Sequence, residues 1–73
     1  MKKELFLEKL TEVLQKEEPC KETDSLEALD SIDKISLMAL FDKELNLKIT
    51  FDQIQAFSTV ADAIKLAGDK IEQ

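Results

Sequence analysis

The chain lacks the residues on which most small enzymes depend. It has no histidine and one cysteine among 73 residues. The one side chain whose unperturbed pKa lies near neutrality is therefore missing, and proton shuttling has no obvious agent. Cys20 follows Pro19 in an acidic stretch. Such surroundings oppose a nucleophilic thiolate, so Cys20 reads as an ordinary free thiol. Structural zinc needs several Cys and His ligands, and the acidic stretch lacks the glycine and spacing of an EF-hand. No glycine-rich loop could cradle a phosphate; the only glycine is Gly68. Independent catalysis is not expected.

Serine is the remaining chemistry. The segment Leu29-Asp30-Ser31-Ile32-Asp33 sets a serine at the start of a helical pattern. Unpaired N–H groups and a partial positive charge at that end would stabilise a phosphodiester on Ser31. Unmodified, the same residue is an ordinary cap. A second Asp-Ser pair stands at Asp24-Ser25-Leu26. Ser25 is the lesser candidate, because attachment there would require a much longer second helix. Ser36 and Ser58 read as helix-surface and cap residues.

These residues need elements to position them. From Lys2 to about Lys16, Phe6, Leu10, Val13 and Leu14 recur on one helical face. Glu12 and Lys16 stand one turn apart as a supporting pair. Pro19 and its restriction on Glu18 predict an end near Glu17. Residues 18–30 form an acidic connection in which Leu26 and Leu29 are expected to pin the chain to the core, with a short helical turn between them.

A second helix is expected from Ser31 to Leu45, capped by Asp30 or Ser31. It carries Leu37, Met38, Phe41 and Leu45 on one face and a second apolar strip of Ile32, Ile35 and Ala39. One core contact needs about 100° of apolar arc. The surplus implies that part of this helix faces something else. Asn46 to Thr50 reads as a loop and Phe51 to Ala56 as a short helical turn. Ser58 or Thr59 caps a last helix that turns Val60, Ala63, Ile64 and Ala67 inward and stops at Gly68.

A chain of this length makes one domain, residues 1–73, with a radius of gyration of about 11 Å. No residue run alternates long enough for a sheet, so the expected class is all-α: an antiparallel four-helix bundle of three longer helices and one short one. The net charge is −6. Residues 17 to 33 hold seven acids and one base, and the rest of the chain balances nine against nine. Nucleic acid and anionic membranes are disfavoured partners; proteins with basic docking surfaces are favoured. No apolar run approaches the roughly 20 residues of a membrane span. One cysteine and no signal-peptide pattern fit a cytoplasmic monomer.

Over nearly its whole length the chain resembles the acyl carrier protein family. The resemblance is carried by Asp30-Ser31-Ile32-Asp33, Ile35, Leu37, Met38, Ala39 and the run Phe41-Asp42-Lys43-Glu44-Leu45. Ile49 and the stretch from Ile54 to Ile64, including Phe57-Ser58-Thr59-Val60, complete it. Ser31 stands 29 residues before Val60, as in the family layout, and Ser25 stands 35 before it. The chain departs from the pattern at Ala28, often glycine, and at Ile32, usually leucine. Lys34 and Ser36 make its second helix less acidic than in typical fatty-acid carriers.

The resemblance implies 4′-phosphopantetheine on Ser31, attached by a phosphopantetheinyl transferase, and no catalysis by the carrier itself. The arm would hold acyl groups as thioesters for synthase or acyl-transferring enzymes of a fatty-acid or specialised pathway. Partner contacts would be Asp30, Asp33, Asp42 and Glu44 as charges, with Ile32, Ile35 and Met38 as the apolar centre. Alternatives are an aminoacyl or peptidyl carrier, and an unmodified acidic adaptor that binds a basic protein.

Overall fold

A computed structural model describes residues 1–72. Four α-helices follow in order: α1, Lys3–Val13; α2, Ser31–Leu45; α3, Phe51–Gln55; and α4, Val60–Ala67. A 3-10 turn, Gly68–Lys70, closes the series. Strands are absent among the described residues; two isolated bridges join Lys2 to Glu72 and Ser25 to Thr59. The radius of gyration is 10.8 Å, close to the value expected from length.

α1 ends four residues sooner than Pro19 alone suggests. Gln15 adopts a left-handed φ of 55°. This lets the Gln15 and Lys16 amides donate to the Glu12 and Thr11 carbonyls, which closes the helix as a glycine normally would. Lys16 therefore lies beyond the helix, and the expected Glu12–Lys16 pair does not form on consecutive turns. The Thr11 hydroxyl donates to the Leu7 carbonyl at 2.7 Å and accepts the Cys20 amide at 2.8 Å. That contact folds the chain back and drops Cys20 into the core, where it is 3% exposed. The thiol is free, as expected, but it packs as a small apolar group.

α2 matches its expected limits because local signals set both ends. The Asp30 carboxylate accepts the Asp33 amide at 2.8 Å, so Asp30 is the cap and Ser31 the first helical residue. At the other end Asn46 turns left-handed, and the Phe41 carbonyl accepts the Asn46 and Leu47 amides. Leu37, Leu40, Phe41 and Leu45 are buried. α2 packs against both α1 and α3. Phe41 sits at the centre, edge-on to Phe6 with centroids 5.7 Å apart and tilted against Phe57 at 6.4 Å. Such aromatic pairs add about 0.5–1.5 kcal/mol beyond the area they bury.

α3 begins with a reciprocal cap. Thr50 Oγ1 accepts the Gln53 amide, and Gln53 Oε1 accepts the Thr50 amide. α4 turns Val60, Ala63, Ile64 and Ala67 inward as its spacing predicts. It stops at Gly68, whose φ of 58° with ψ of −125° suits a residue without Cβ. Ile71 then returns to the core, and Lys3 and Glu72 pair through their backbones at 3.0 Å.

The acidic connection is fastened through its backbone. The Leu26 amide donates to the Ser58 carbonyl, while the Val60 and Ala61 amides donate to the Asp24 and Glu22 carbonyls, all at 2.9 Å. Two amides of the first turn of α4, which no intrahelical carbonyl can reach, are thereby paired. Leu26 is buried and Leu29 partly so, as expected of the pinning residues. No helix forms between them; a turn with a long 3.5 Å Leu29–Leu26 bond takes its place.

Candidate functional site

The first turn of α2 gathers Ser31, Ile32 and Asp33 of the residues singled out by sequence, with Asp30 as its cap. Ser31 is exposed at its opening position. The Asp33 amide is taken by the Asp30 carboxylate and the Lys34 amide by the Asp30 carbonyl. The Ser31 and Ile32 amides have no preceding turn to bind. An anionic group on Ser31 Oγ would meet these two donors and the positive end of a fifteen-residue helix. The surroundings are open, so a phosphodiester with a long arm fits without displacing a packed side chain.

The apolar side of the site is more exposed than core packing allows. Ile32 is 73% and Ile35 58% exposed. Ile35 joins Met38, Ala39, Asp42, Lys48 and Ile49 around an open groove of about 500 Å³. Met38 is shared between that groove and the core, against which it is partly buried. Asp30 and Asp42 are exposed, and Asp33 is half-buried.

Glu44 stands apart from this group. Its carboxylate lies 3.6 Å from Lys9 Nζ, so it faces α1 and not the groove. The spacing of Asp42 and Glu44 gives the reason: two residues along a helix do not share a face.

Ser25 occupies a different setting. Its Oγ accepts the Glu27 amide at 3.1 Å, and its backbone bridges to Thr59. It is exposed but lies in the fastened connection, six residues before α2 begins. A polar hollow of about 600 Å³ opens there, lined by Lys16, Glu17, Glu18, Pro19, Lys21, Asp24 and Ser25.

Two further residues matter to which sequence reasoning gave no role at the site. Lys34 Nζ lies 5.7 Å from the centroid of the Phe51 ring, tying the first turn of α2 to the first residue of α3. Helical spacing places Lys34 one turn after Ser31 but cannot reveal Phe51 as its partner. Asp62 accepts the Ser58 amide at 2.8 Å and the Thr59 amide at 3.2 Å. These two bonds, the Ser58 bond foremost, hold its carboxyl below the usual aspartate range, with a smaller contribution from Lys65. The signal was in the sequence, since Thr59 and Asp62 have capping-box spacing.

Among the described residues no cluster of His, Cys, Asp or Glu could hold a metal ion, and no helix is long and apolar enough to cross a membrane. No protein-family model matches the chain, and no solved structure matches it significantly. Two curated proteins do, both named acyl carrier protein, from Porphyromonas gingivalis strains ATCC 33277 and W83. Each is 51% identical over 35 residues, which is 48% of this chain and 45% of the relative. The match thus spans about half the length of each curated relative. Identity of that degree over half the chain supports the resemblance to acyl carrier proteins already carried by Asp30-Ser31-Ile32-Asp33 and the residues downstream.

Proposed function

We propose that the chain is one carrier domain, residues 1–73, whose Ser31 bears 4′-phosphopantetheine and which passes acyl groups between enzymes of a fatty-acid or specialised pathway. The observation that carries this reading is an exposed serine at the first position of α2, followed by two exposed isoleucines, in a chain half of which is similar to acyl carrier proteins. The four helices are read as an antiparallel bundle. Short connections at residues 46–50 and 56–59 and the shared core support that arrangement.

With coenzyme A as donor, Ser31 Oγ bonds to the β-phosphorus and gives up its proton. The pyrophosphate bond breaks, and adenosine 3′,5′-bisphosphate departs with its electron pair. When bound, the arm supplies a terminal thiol that holds acyl groups as thioesters. The chain's own work is to anchor, screen and dock. The first turn of α2 stabilises the added negative charge. Asp30, Asp33 and Asp42 steer basic partners, and Ile32, Ile35 and Met38 supply an apolar contact. Glu44, paired with Lys9, is the weakest of the proposed charged contacts. Weak, fast, salt-sensitive encounters suit a shuttle. The carrier performs no catalysis in this reading, and its free, buried cysteine fits the cytoplasm.

Incubation with a phosphopantetheinyl transferase and coenzyme A tests the attachment. Intact mass should show one arm on the wild type and on Ser25→Ala, and none on Ser31→Ala. An unmodified wild type, or a fully modified Ser31→Ala, removes the reading. Loading by fatty-acid enzymes rather than by amino-acid-adenylating ligases separates an acyl from an aminoacyl carrier.

A further inference from the structure

Lys34 lies one turn beyond Ser31, on the side of the site that faces α3. Helical side chains lean toward the N-terminus, and residues three apart have Cβ atoms about 5–6 Å from each other, within reach of a lysine stem. The Lys34 ammonium instead rests over Phe51, 5.7 Å from its centroid. Phe51 is the first residue of α3 and half-buried. The Asp30 carboxylate, one turn before it, accepts the Asp33 amide. Lys34 is in neither ion pair found among the described residues, Lys3–Glu22 and Lys9–Glu44. The contact seen for its charge among the described residues is therefore the aromatic face of Phe51.

We propose that Lys34 is a two-position tether: on the Phe51 ring while Ser31 is bare, and on the phosphodiester oxygens once Ser31 is modified. The proposal rests on the reading of Ser31 given above. Modification adds an anion with unengaged oxygens one helical turn away. A charge-assisted N–H···O bond is stronger than a cation–π contact at a partly exposed site. Lys34 therefore changes partner, and the start of α3 loses one of its contacts with α2. What still holds α3 is the Thr50–Gln53 cap and the buried Ile54. Attachment at Ser31 would so be relayed to a second helix, with α3 looser in the modified carrier than in the bare one.

Ring-current shifts read this directly. In the bare protein the Lys34 Cε protons should resonate upfield of their position in a Phe51→Leu variant. After loading with coenzyme A and a transferase, verified by mass, the wild-type resonance should move to the Phe51→Leu position. The Ile54 and Ala56 amides should exchange about two- to fivefold faster, the loss expected from one such contact. In Lys34→Gln those amides should already exchange at the faster rate and not change on loading. A loaded protein whose Lys34 resonance stays put overturns the tether and leaves the attachment intact. A Lys34→Gln variant with the full wild-type change on loading also overturns it. Failure of the wild type to gain the arm's mass overturns the Ser31 reading and the tether with it.

Discussion

The chain contains two Asp-Ser pairs followed by an aliphatic residue, and the fold treats them oppositely. At Asp24-Ser25-Leu26 all three residues are tied into the structure. The Asp24 carboxylate accepts the Lys21 amide and its carbonyl accepts the Val60 amide; Ser25 Oγ accepts the Glu27 amide, and Leu26 is 3% exposed. At Asp30-Ser31-Ile32 only the aspartate is so engaged, through the cap bond to Asp33. Ser31 is exposed and Ile32 largely so. A tripeptide thus fastens a connection in one place and leaves an exposed hydroxyl beside an exposed apolar side chain in the other. The residue after the serine tells the two apart. A buried leucine closes the first segment onto the core, while an exposed isoleucine, with Ile35 exposed one turn on, leaves apolar surface open to solvent at the second.

Alanine substitution at those two positions should break the symmetry most sharply. Leu26→Ala should cost about 2–5 kcal/mol, as for other buried leucines, and it should free the connection from α4. Ile32→Ala should shift stability by less than about 0.5 kcal/mol, as expected at an exposed site, while weakening transfer by a partner enzyme. Chemical denaturation of both variants, with a loading assay for the second, checks the contrast. Equal losses of stability would mean that Ile32 is packed after all.

A smaller effect separates the two regions electrostatically. Seven acids within residues 17–33 repel one another, and Lys3 pairs with one of them, Glu22, at 3.2 Å. Magnesium or added salt should raise the melting temperature by a few degrees through screening. The Val60 and Ala61 amides, bonded to the acidic connection, should gain more exchange protection than the Lys34 amide. A melting temperature unchanged by magnesium would show that the acids are already far enough apart.

The smallest expected effect concerns the anchor of that connection. The folded pKa of Asp62 lies below its ordinary value because its carboxylate accepts the Ser58 and Thr59 amides. Its contribution is therefore complete above the ordinary aspartate range and lost as the pH falls through the lower folded value. Asp62→Ala should melt earlier than wild type at neutral pH. The two melting curves should draw together as the pH falls below the ordinary aspartate value and converge once it has passed the lower folded one, where the wild-type carboxylate takes up its proton. A gap that persists in acid would assign the loss to packing.

The limits of α2 were legible because they depend on neighbours in sequence: Asp30 three residues before Asp33, an apolar spacing of 3.6, and no Gly or Pro between Ser31 and Leu45. The end of α1 was less legible. Gln15 is not a residue type that announces a left-handed turn, and Pro19 drew the expected end too far along the chain. At the site, the exposure of Ile32 and Ile35 followed from a surplus of apolar arc. The diversion of Glu44 to Lys9 did not, because nothing local says which helix lies beside it.

By itself, then, the sequence determined the helical class, the span of α2, the inward face of α4, the stop at Gly68 and the placement of Ser31 at a helix start. All of these are settled by contacts within about one helical turn. Tertiary structure alone decided that Cys20 is a core residue, that Asp24-Ser25-Leu26 is strapped to α4, that Glu44 turns to Lys9 of α1, and that Lys34 meets Phe51. Each of those joins residues nine or more apart in the chain. The free energy that selects such partners comes from closing a loop onto a shared core, and no local pattern of residue types encodes it.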